Sequence, residues 1–169
     1  HIVAVSSGKG GVGKSTVAAN LALSIRNMGL NVGLLDLDIY GPSLPIILGI
    51  DEQPELNSDR KLIPLKHLDM KVMSFGFISG NQSPTIWRGP LVARMTEQFF
   101  YDVVWGELDY LILDLPPGTG DIQLTLTQKL KMDGALIVTT PQDIALADVK
   151  KGADMFRKVK TPVLGVIEN

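Results

Sequence analysis

The stretch GKGGVGKST at residues 8–16 decides the fold class, because it has the spacing of a phosphate-binding loop. From Gly8 to Ser15 it follows the pattern Gly-x-x-x-x-Gly-Lys-Ser. An apolar run at 2–6 comes before it, and a helical pattern comes after it. A strand before the loop and a helix after it are the context that such a motif requires. We therefore predict that the loop binds the phosphates of a nucleotide.

Each residue type in the loop has a chemical reason. Glycines let the backbone adopt conformations and approach a ligand in ways that a Cβ would obstruct. The N–H groups thus freed form an anion-binding nest at the positive end of the following helix. Lys14 is predicted to contact the β- and γ-phosphates, and Ser15 to offer its hydroxyl to Mg²⁺. A glycine-rich turn that only connects strand to helix is the alternative, and the complete motif disfavours it.

Short apolar runs alternate with helical patterns along the rest of the chain, which indicates βαβ units and a parallel sheet. The predicted strands are rich in Val, Ile and Leu, as strands buried on both faces should be. They lie at residues 2–6, 32–35, 71–75, 110–115, 135–139 and 163–167. Residues 51–69 are polar and aperiodic, and we predict an excursion between two strands there. The predicted fold is α/β: a doubly wound, mostly parallel sheet with helices on both faces.

Helical spacing places three groups of apolar residues on helix faces, each typical of an amphipathic helix. The groups are Val17, Leu21, Ile25 and Met28; Leu91, Met95 and Phe99; and Ala145, Val149 and Phe156. Gly29 is expected to end the first of these helices.

The composition is that of an ordinary globular domain. The 169 residues carry a net charge of −2, so no basic field favours a nucleic acid or an anionic membrane. No apolar run approaches the ~20 residues of a membrane helix, and no signal peptide is visible, so we expect a cytoplasmic protein. The absence of cysteine excludes disulfides and thiolate-held metals within the chain. We expect one domain over residues 1–169, truncated at its C-terminal end.

Three aspartates follow predicted strands, at the edge of a parallel sheet where ligands bind. The run at 110–113 leads to Asp114, which is suited to holding Mg²⁺ through water. The turn PPGTG at 116–120 is a candidate sensor of the γ-phosphate. LLDLD carries Asp36 and Asp38 to the same edge, where a carboxylate can orient or deprotonate an attacking water. Helix caps and turns are the alternatives. Beside the phosphate loop, metal and water roles are favoured for Asp114 and Asp38, whereas the role of Asp36 stays open.

The complete loop GKGGVGKST resembles the deviant phosphate loop of the MinD/ParA and nitrogenase iron-protein group of P-loop NTPases, the SIMIBI type. Longer stretches resemble the Mrp/ApbC branch, ATPases that carry iron–sulfur clusters to target apoproteins. These stretches are GLLDLDIYGPSLP at 33–45, IWRGP at 86–90, WGELDYLILDLPPGTGD at 105–121 and TPQDIALADVKKG at 140–152. The resemblance covers nearly the whole chain and implies a Mg-dependent ATPase of low turnover.

The resemblance implies a role for each site residue. It assigns the phosphates and Mg²⁺ to Gly8, Lys9, Gly10, Gly11, Val12, Gly13, Lys14, Ser15 and Thr16. Ser15 and Asp114 would hold the metal, and Asp38 would orient water in the first switch. Asp114 with its Pro-Pro-Gly turn would form the second switch. Lys9 would reach across a homodimer to the partner subunit's nucleotide, so that Lys9, Lys14 and Asp38 form the catalytic set. A solvated loop lysine is the alternative for Lys9.

Asn169 matches the asparagine that contacts adenine in this group, and a strand-end turn residue is the alternative. In the family a Cys-x-x-Cys pair follows shortly after the segment IEN, and two subunits hold a bridging 4Fe-4S cluster between their pairs. Because this chain has no cysteine, the cluster of a full-length dimer is expected to rest on ligands outside it. The expected partners are ATP or ADP, a second subunit and iron–sulfur apoproteins, with no nucleic acid and no membrane.

Other classes of protein share this loop and fold. One alternative is a MinD/ParA-like positioning or partitioning ATPase, which would need a basic DNA-binding surface or an amphipathic tail, and neither is visible in the sequence. The modest basic cluster is predicted to be a solvated helix face; it comprises Lys150, Lys151, Arg157, Lys158 and Lys160. An ATP-dependent ligase or kinase, and a nucleotide-gated scaffold without turnover, are further alternatives.

Overall fold

The computed structural model describes residues 1–79 and 89–169, with the backbone alone at 79, 89–95 and 143–146. The described part contains seven strands: β1 (Ile2–Ser7), β2 (Val32–Asp36), β3 (Leu65–His67), β4 (Met70–Ser74), β5 (Tyr110–Asp114), β6 (Gly134–Thr139) and β7 (Val163–Glu168). Its helices are α1 (Lys14–Asn27), α2 (Leu44–Leu48), α3 (Phe75–Ser79), α4 (Gly89–Asp102), α5 (Asp121–Lys129) and α6 (Asp143–Lys158).

The strands form one sheet in the order β3-β4-β2-β5-β1-β6-β7. Neighbouring strands run parallel except β3 and β4, which are antiparallel. The register pairs Asp114 with Val5 on one side and with Asp36 on the other. The predicted α/β fold with a mostly parallel sheet is confirmed. Its topology brings the carboxyl ends of β1, β2 and β5 together, and we call this edge the carboxyl edge.

All six predicted strands are present, with ends that agree to within one residue. The prediction for 71–75 was wrong at its last position, because Phe75 begins α3 instead of ending β4. The Phe75 ring stacks on Phe99 of α4 with 4.0 Å between ring centroids. Contact with that helix draws Phe75 out of the strand.

The excursion predicted for 51–69 contains structure that the sequence did not reveal. Residues 65–67 form β3, which pairs with β4 through the register Leu65 to Val72. The connection turns at Leu68 and Asp69, whose φ angles are 48° and 55°. Tight hairpin turns with positive φ usually contain Asn or Gly. Because Leu and Asp stand there instead, the sequence carried no strong hairpin signal.

Helix α1 presents a different face to the sheet from the one predicted. Its buried apolar residues are Ala18, Ala19 and Ala22, whereas the branched residues Val17, Leu21 and Ile25 are half-buried beside them. Met28, predicted to lie on the buried face, is 76% exposed. Small side chains let the helix axis approach the sheet closely, so the larger residues lie on its flank. Gly29 has a φ of 88° and follows Met28, the C-cap residue of the helix, in agreement with the predicted helix end.

The other two predicted faces are described in part. Phe99 and Phe156 are buried, and Val149 packs against the core. Leu91, Met95 and Ala145 lie outside the described side chains. Within the described ranges, no helix has both the length and the apolar character needed to cross a bilayer.

Ile112, in the middle of β5, is fully buried and pairs with Val3 and Leu34 on the flanking strands. We expect Ile112→Ala to lower the free energy of unfolding by about 2–5 kcal/mol, because it removes buried methyl groups and leaves a cavity. The exposed Met28→Ala is the control, with an expected change of about 0.5 kcal/mol or less. Urea unfolding measures both, and an equal effect of the two variants would contradict the assigned core.

Candidate nucleotide site

The glycine loop lies between the end of β1 at Ser7 and the start of α1 at Lys14, as predicted. Gly11 and Gly13 have φ angles of 77° and 84°, in the left-handed region that favours glycine. A Cβ at Gly13 would also collide with the side-chain amide of Asn169. The backbone conformation therefore favours glycine at position 13, and the Asn169 side chain lies against it.

The base of the loop is fixed by hydrogen bonds to its own strand and to the turn after β5. The Ser7 hydroxyl donates to the Lys9 carbonyl oxygen at 2.8 Å. The Gly118 N–H donates to the Ser7 carbonyl oxygen, also at 2.8 Å. Gly118 belongs to the PPGTG turn that was predicted to sense a γ-phosphate. The candidate sensor is therefore bonded to the strand residue that directly precedes the loop.

Lys14 and Asp114 form an ion pair at the carboxyl edge, between Lys14 Nζ and Asp114 Oδ1. The two residues are 6% and 0% exposed. Lys14 Nζ also lies 3.4 Å from Ser15 Oγ. The structure thus brings together the three residues predicted to contact phosphate and metal. A buried pair of this kind is costly to break, about 3–5 kcal/mol when one partner is removed.

The other carboxylate oxygen of Asp114, Oδ2, is buried and has no hydrogen-bond partner among the described residues. Burial raises the pKa of Asp114, against the opposing effects of the Lys14 charge and of hydrogen bonds from Lys14 and Ser15. A buried carboxylate oxygen without a partner, close to a serine hydroxyl, has the donor chemistry that Mg²⁺ prefers. The residues present therefore fit a magnesium ion.

Asp36 is a fully buried acceptor that joins three segments of backbone. Its Oδ1 accepts the Asp38 N–H at 3.0 Å. Its Oδ2 accepts the Ser74 hydroxyl at 3.0 Å and the Leu44 N–H at 3.4 Å. The sequence left the role of Asp36 open. In the structure, the hydrogen bonds of Asp36 hold the chain after β2 against the start of α2 and the end of β4.

The pKa of the Asp36 carboxyl is raised to about 7. Burial is the largest cause, and the neighbouring Asp114 charge adds to it. Hydrogen bonds from the Asp38 and Leu44 N–H groups and the Lys14 charge lower the pKa in part. Asp36 and Asp114 thus lie buried next to each other at the carboxyl edge, beside the charge of Lys14.

Asp38 lies at the same edge, and its carboxylate shapes a turn. Oδ1 accepts the N–H of Tyr40 at 3.3 Å and the N–H of Gly41 at 3.2 Å. Asp38 therefore has the turn role that was considered as an alternative. The Asp38 charge also raises the pKa of Asp114, which indicates that the two carboxylates are close. The water-orienting role stays a prediction.

Lys9 contacts its own chain at the rim of the site. Its Nζ donates to Gln142 Oε1 at 3.1 Å, in an exposed hydrogen bond. Gln142 precedes α6, and Asp148 of that helix packs so closely on Gly8 that a Cβ there would overlap it. The start of α6 is therefore a neighbour of the glycine loop. The cross-subunit role of Lys9 stays a prediction.

Asn169 lies beside the loop although it is 157 positions from Val12 in sequence. Its side-chain Nδ2 donates to the Val12 carbonyl oxygen at 3.0 Å, and its N–H donates to the Thr139 carbonyl oxygen at 2.9 Å. The second bond is the strand-end contact considered as the alternative. The first places the amide at the loop, and contact with adenine stays a prediction.

Sequence reasoning missed Gln123, on α5. The side chain is buried, and its Nε2 donates to the hydroxyl of Ser6 at 2.5 Å. This bond connects the helix after the PPGTG turn to the strand before the glycine loop. A glutamine in an ordinary helical segment carries no signal for such a contact, because the contact depends on how α5 packs over β1.

Two further predictions concern residues away from the loop. The basic residues near α6 are exposed, as expected of a solvated face, and Arg157 pairs with Asp154 of the same helix at 2.6 Å. Most of the IWRGP motif, including Trp87 and Arg88, lies outside the described residues.

The loop, the buried lysine–aspartate pair and the parallel sheet define a nucleotide-binding P-loop domain. The chain belongs to the family described as NUBPL iron-transfer P-loop NTPase, whose model matches residues 1–169. Recognition of the iron–sulfur carrier branch from the sequence is confirmed.

Relatives support the same assignment. An iron-sulfur cluster carrier protein of Aquifex aeolicus is 53% identical over the whole chain, which covers 47% of that relative. A nucleotide-binding protein of Archaeoglobus fulgidus, solved in complex with ADP, is 45% identical with a TM-score of 0.86; the match covers 99% of this chain and 65% of that one. The cell division ATPase MinD of Pyrococcus furiosus is 23% identical with a TM-score of 0.73, covering 100% and 71% of the two chains, and shows the shared fold. The chain spans about half the length of the curated relatives it matches.

The raised pKa of Asp36 predicts a pH-dependent stability. The unfolded carboxyl titrates near 3.8 and the folded one near 7, so between these values the folded state holds a proton that the unfolded state has lost. This contribution is present at low pH and is lost as pH rises through 7. The free energy of unfolding should therefore fall by up to roughly 3 kcal/mol from about pH 5 to about pH 8.

Asp36→Asn should remove most of this fall, because asparagine does not titrate. Urea unfolding at the two pH values measures the difference, with exposed Asp59→Asn as the control that keeps the parent slope. A slope unchanged in Asp36→Asn would show that Asp36 has an ordinary pKa.

Proposed function

We propose that this chain is the nucleotide domain of an iron–sulfur cluster carrier, binding ATP and hydrolysing it slowly with Mg²⁺. The buried Lys14–Asp114 pair at the end of a glycine loop is the observation that carries the proposal. The positive charge of Lys14 would attract phosphate oxygens, and the negative charge of Asp114 would attract a metal ion. The family of the chain and the ADP complex of the Archaeoglobus fulgidus relative support the same ligand.

Each residue of the site has a step to perform. Backbone N–H groups of the loop and the start of α1 bind the phosphates, and Lys14 offsets the charge that develops on the transferred group. Ser15 and Asp114 would hold Mg²⁺, which would offset the negative charge of the phosphates during transfer. Asp38 orients the attacking water, and the Asp36 bond to its N–H holds it in position. The PPGTG turn responds to the γ-phosphate through its contact with Ser7.

A homodimer that closes across the nucleotide is part of the proposal. Lys9 lies at the rim of the loop on a long side chain, and its bond to Gln142 is exposed and easily exchanged. A second subunit facing the nucleotide could therefore take up this lysine. A site completed by a partner is unfinished in a monomer, and this gives the low turnover.

The iron–sulfur cluster is proposed as cargo and its recipients as apoproteins. The support comes from relatives that are iron-sulfur cluster carrier proteins and are 53% identical over the whole chain. No cysteine occurs in this sequence, so thiolate ligands would come from outside residues 1–169. The positioning ATPase alternative has weaker support, because MinD is similar at 23% identity and shares only the fold. The cytoplasmic location and the single domain stay predictions.

Nucleotide binding should depend on Lys14. We expect Lys14→Ala to lose tight binding of Mg-ATP, because the phosphates lose their buried counter-charge and Asp114 loses its partner. Ser15→Ala should weaken binding less and mainly in the presence of Mg²⁺. Isothermal titration measures both, with exposed Lys131→Ala as the control for lost charge. Parent-like affinity in Lys14→Ala, in a protein that still unfolds cooperatively, would contradict the assigned site.

The cross-subunit role of Lys9 can be tested by mixing variants. Lys9→Ala should bind ADP almost normally yet lose ATPase activity, and Asp38→Asn should lower kcat with little change in nucleotide affinity. A heterodimer of the two variants contains one site with its own Asp38 and a Lys9 from the partner. Mixing should therefore restore part of the steady-state ATPase activity.

The mixing experiment requires a preparation in which heterodimers are confirmed by two distinguishable affinity tags. Lys9→Arg is the matched variant, and it should fail as well because its planar guanidinium differs from a point charge. Heterodimers without recovered activity would show that Lys9 acts within its own subunit or not at all.

A further inference from the structure

An open groove of about 560 Å³ lies between the segment that follows Asp38, including α2, and the start of α3. Its apolar lining comes from α2, from the segments on either side of α2 and from α3, and it comprises Pro42, Pro45, Ile46, Ile50 and Phe77. Ile46 is 85% exposed, and the adjacent Ile47 is also exposed. The volume falls in the range of roughly 300–1,000 Å³ that binding clefts occupy. The catalytic proposal above uses none of these side chains.

Among the residues that the structure describes, the two charged ones that line the groove are acidic. Asp51 and Glu52 follow α2 and are exposed to solvent. An apolar floor with a negative rim complements a ligand that carries an apolar group next to a positive charge. A two-fold contact between two copies of this groove would instead bring the four carboxylates together, which disfavours a second copy as the occupant.

Hydrogen bonds connect both walls of the groove to the nucleotide site. On the α2 side, the N–H of Leu44, which precedes Pro45, donates to Asp36 Oδ2 at 3.4 Å. On the α3 side, the Gly76 N–H donates to the Ser74 hydroxyl at 3.0 Å, and that hydroxyl donates to the same Asp36 oxygen at 3.0 Å. Asp36 pairs with Asp114 across β2 and β5.

We propose that this groove docks a polypeptide segment of a partner protein in which apolar side chains alternate with Lys or Arg, and that bound nucleotide changes its affinity. The nucleotide dependence rests on the proposed function, whereas the docking does not. A polypeptide fits better than a small molecule because the exposed side chains of Ile46 and Ile47 extend the apolar surface beyond the groove. A movement of the backbone after Asp38 would be transmitted to the α2 wall through the bonds of Asp36.

The docking is tested by fluorescence anisotropy with two labelled synthetic peptides, one of alternating Leu and Lys and a matched one of alternating Leu and Glu. We expect the Leu-Lys peptide to bind and the Leu-Glu peptide to bind at least about tenfold more weakly. Ile46→Asp should weaken the binding of the Leu-Lys peptide by about tenfold or more, because it replaces an apolar contact of the groove with a charge. Met28→Asp, an exposed apolar position at the end of α1, is the control and should bind like the parent.

Charge reversal gives a second test of the same groove. Asp51→Lys together with Glu52→Lys should weaken the binding of the Leu-Lys peptide and strengthen the binding of the Leu-Glu peptide. Equal binding of the two peptides by the parent, or unchanged binding by Ile46→Asp, would overturn the proposal. Self-association of the parent that is lost in Ile46→Asp, measured by sedimentation, would identify a second copy as the occupant and would also overturn it.

The nucleotide dependence is measured by repeating the peptide titration with Mg-ADP and with a non-hydrolysable ATP analogue. We expect the two values of Kd to differ severalfold, and calorimetry on the same samples records nucleotide binding separately. Equal Kd values with nucleotide bound would overturn the coupling. A sample that fails to bind nucleotide but still distinguishes the peptides would contradict the proposed function and leave the docking supported.

Discussion

The ion pair between Lys14 and Asp114 joins residues 100 positions apart in the sequence and fixes where the site can be. Both side chains are buried, so each charge depends on the other for its stabilisation. The pair requires α1 to begin where β1 ends and β5 to lie directly beside β1. The close approach of α1 to the sheet through Ala18 and Ala22 serves this requirement.

Asp36 lies beside Asp114 in the sheet and connects it to other segments of the chain. Its bonds to Asp38, Leu44 and Ser74 connect the first candidate switch to the start of α2 and the end of β4. Its raised pKa results from burial and from the Asp114 charge beside it. The same crowding of carboxylates that destabilises the edge makes it suited to a divalent cation and its phosphate partner.

The fold was largely predictable because the strongest sequence signals are local. Predicted runs of four to six residues marked each parallel strand, and the glycine motif marked the first β-to-α connection. Prediction failed where a distant contact decides the local structure. Leu65 joins a strand only because Val72 is opposite it, and Phe75 leaves one because Phe99 stacks on its ring. In α1, the buried apolar residues are alanines, because the helix lies too close to the sheet for larger side chains between them.

The sequence by itself determined the chemistry of the site: a glycine loop with Lys14 and Ser15, and aspartates placed after buried strands. These follow from residue type and spacing, which act over a few positions. The tertiary structure alone decided which carboxylate takes which position. Asp114 meets Lys14, Asp36 becomes a buried acceptor, and Asn169 reaches the loop. Strand order and register set these contacts, because only packing brings residues distant in sequence within hydrogen-bonding reach.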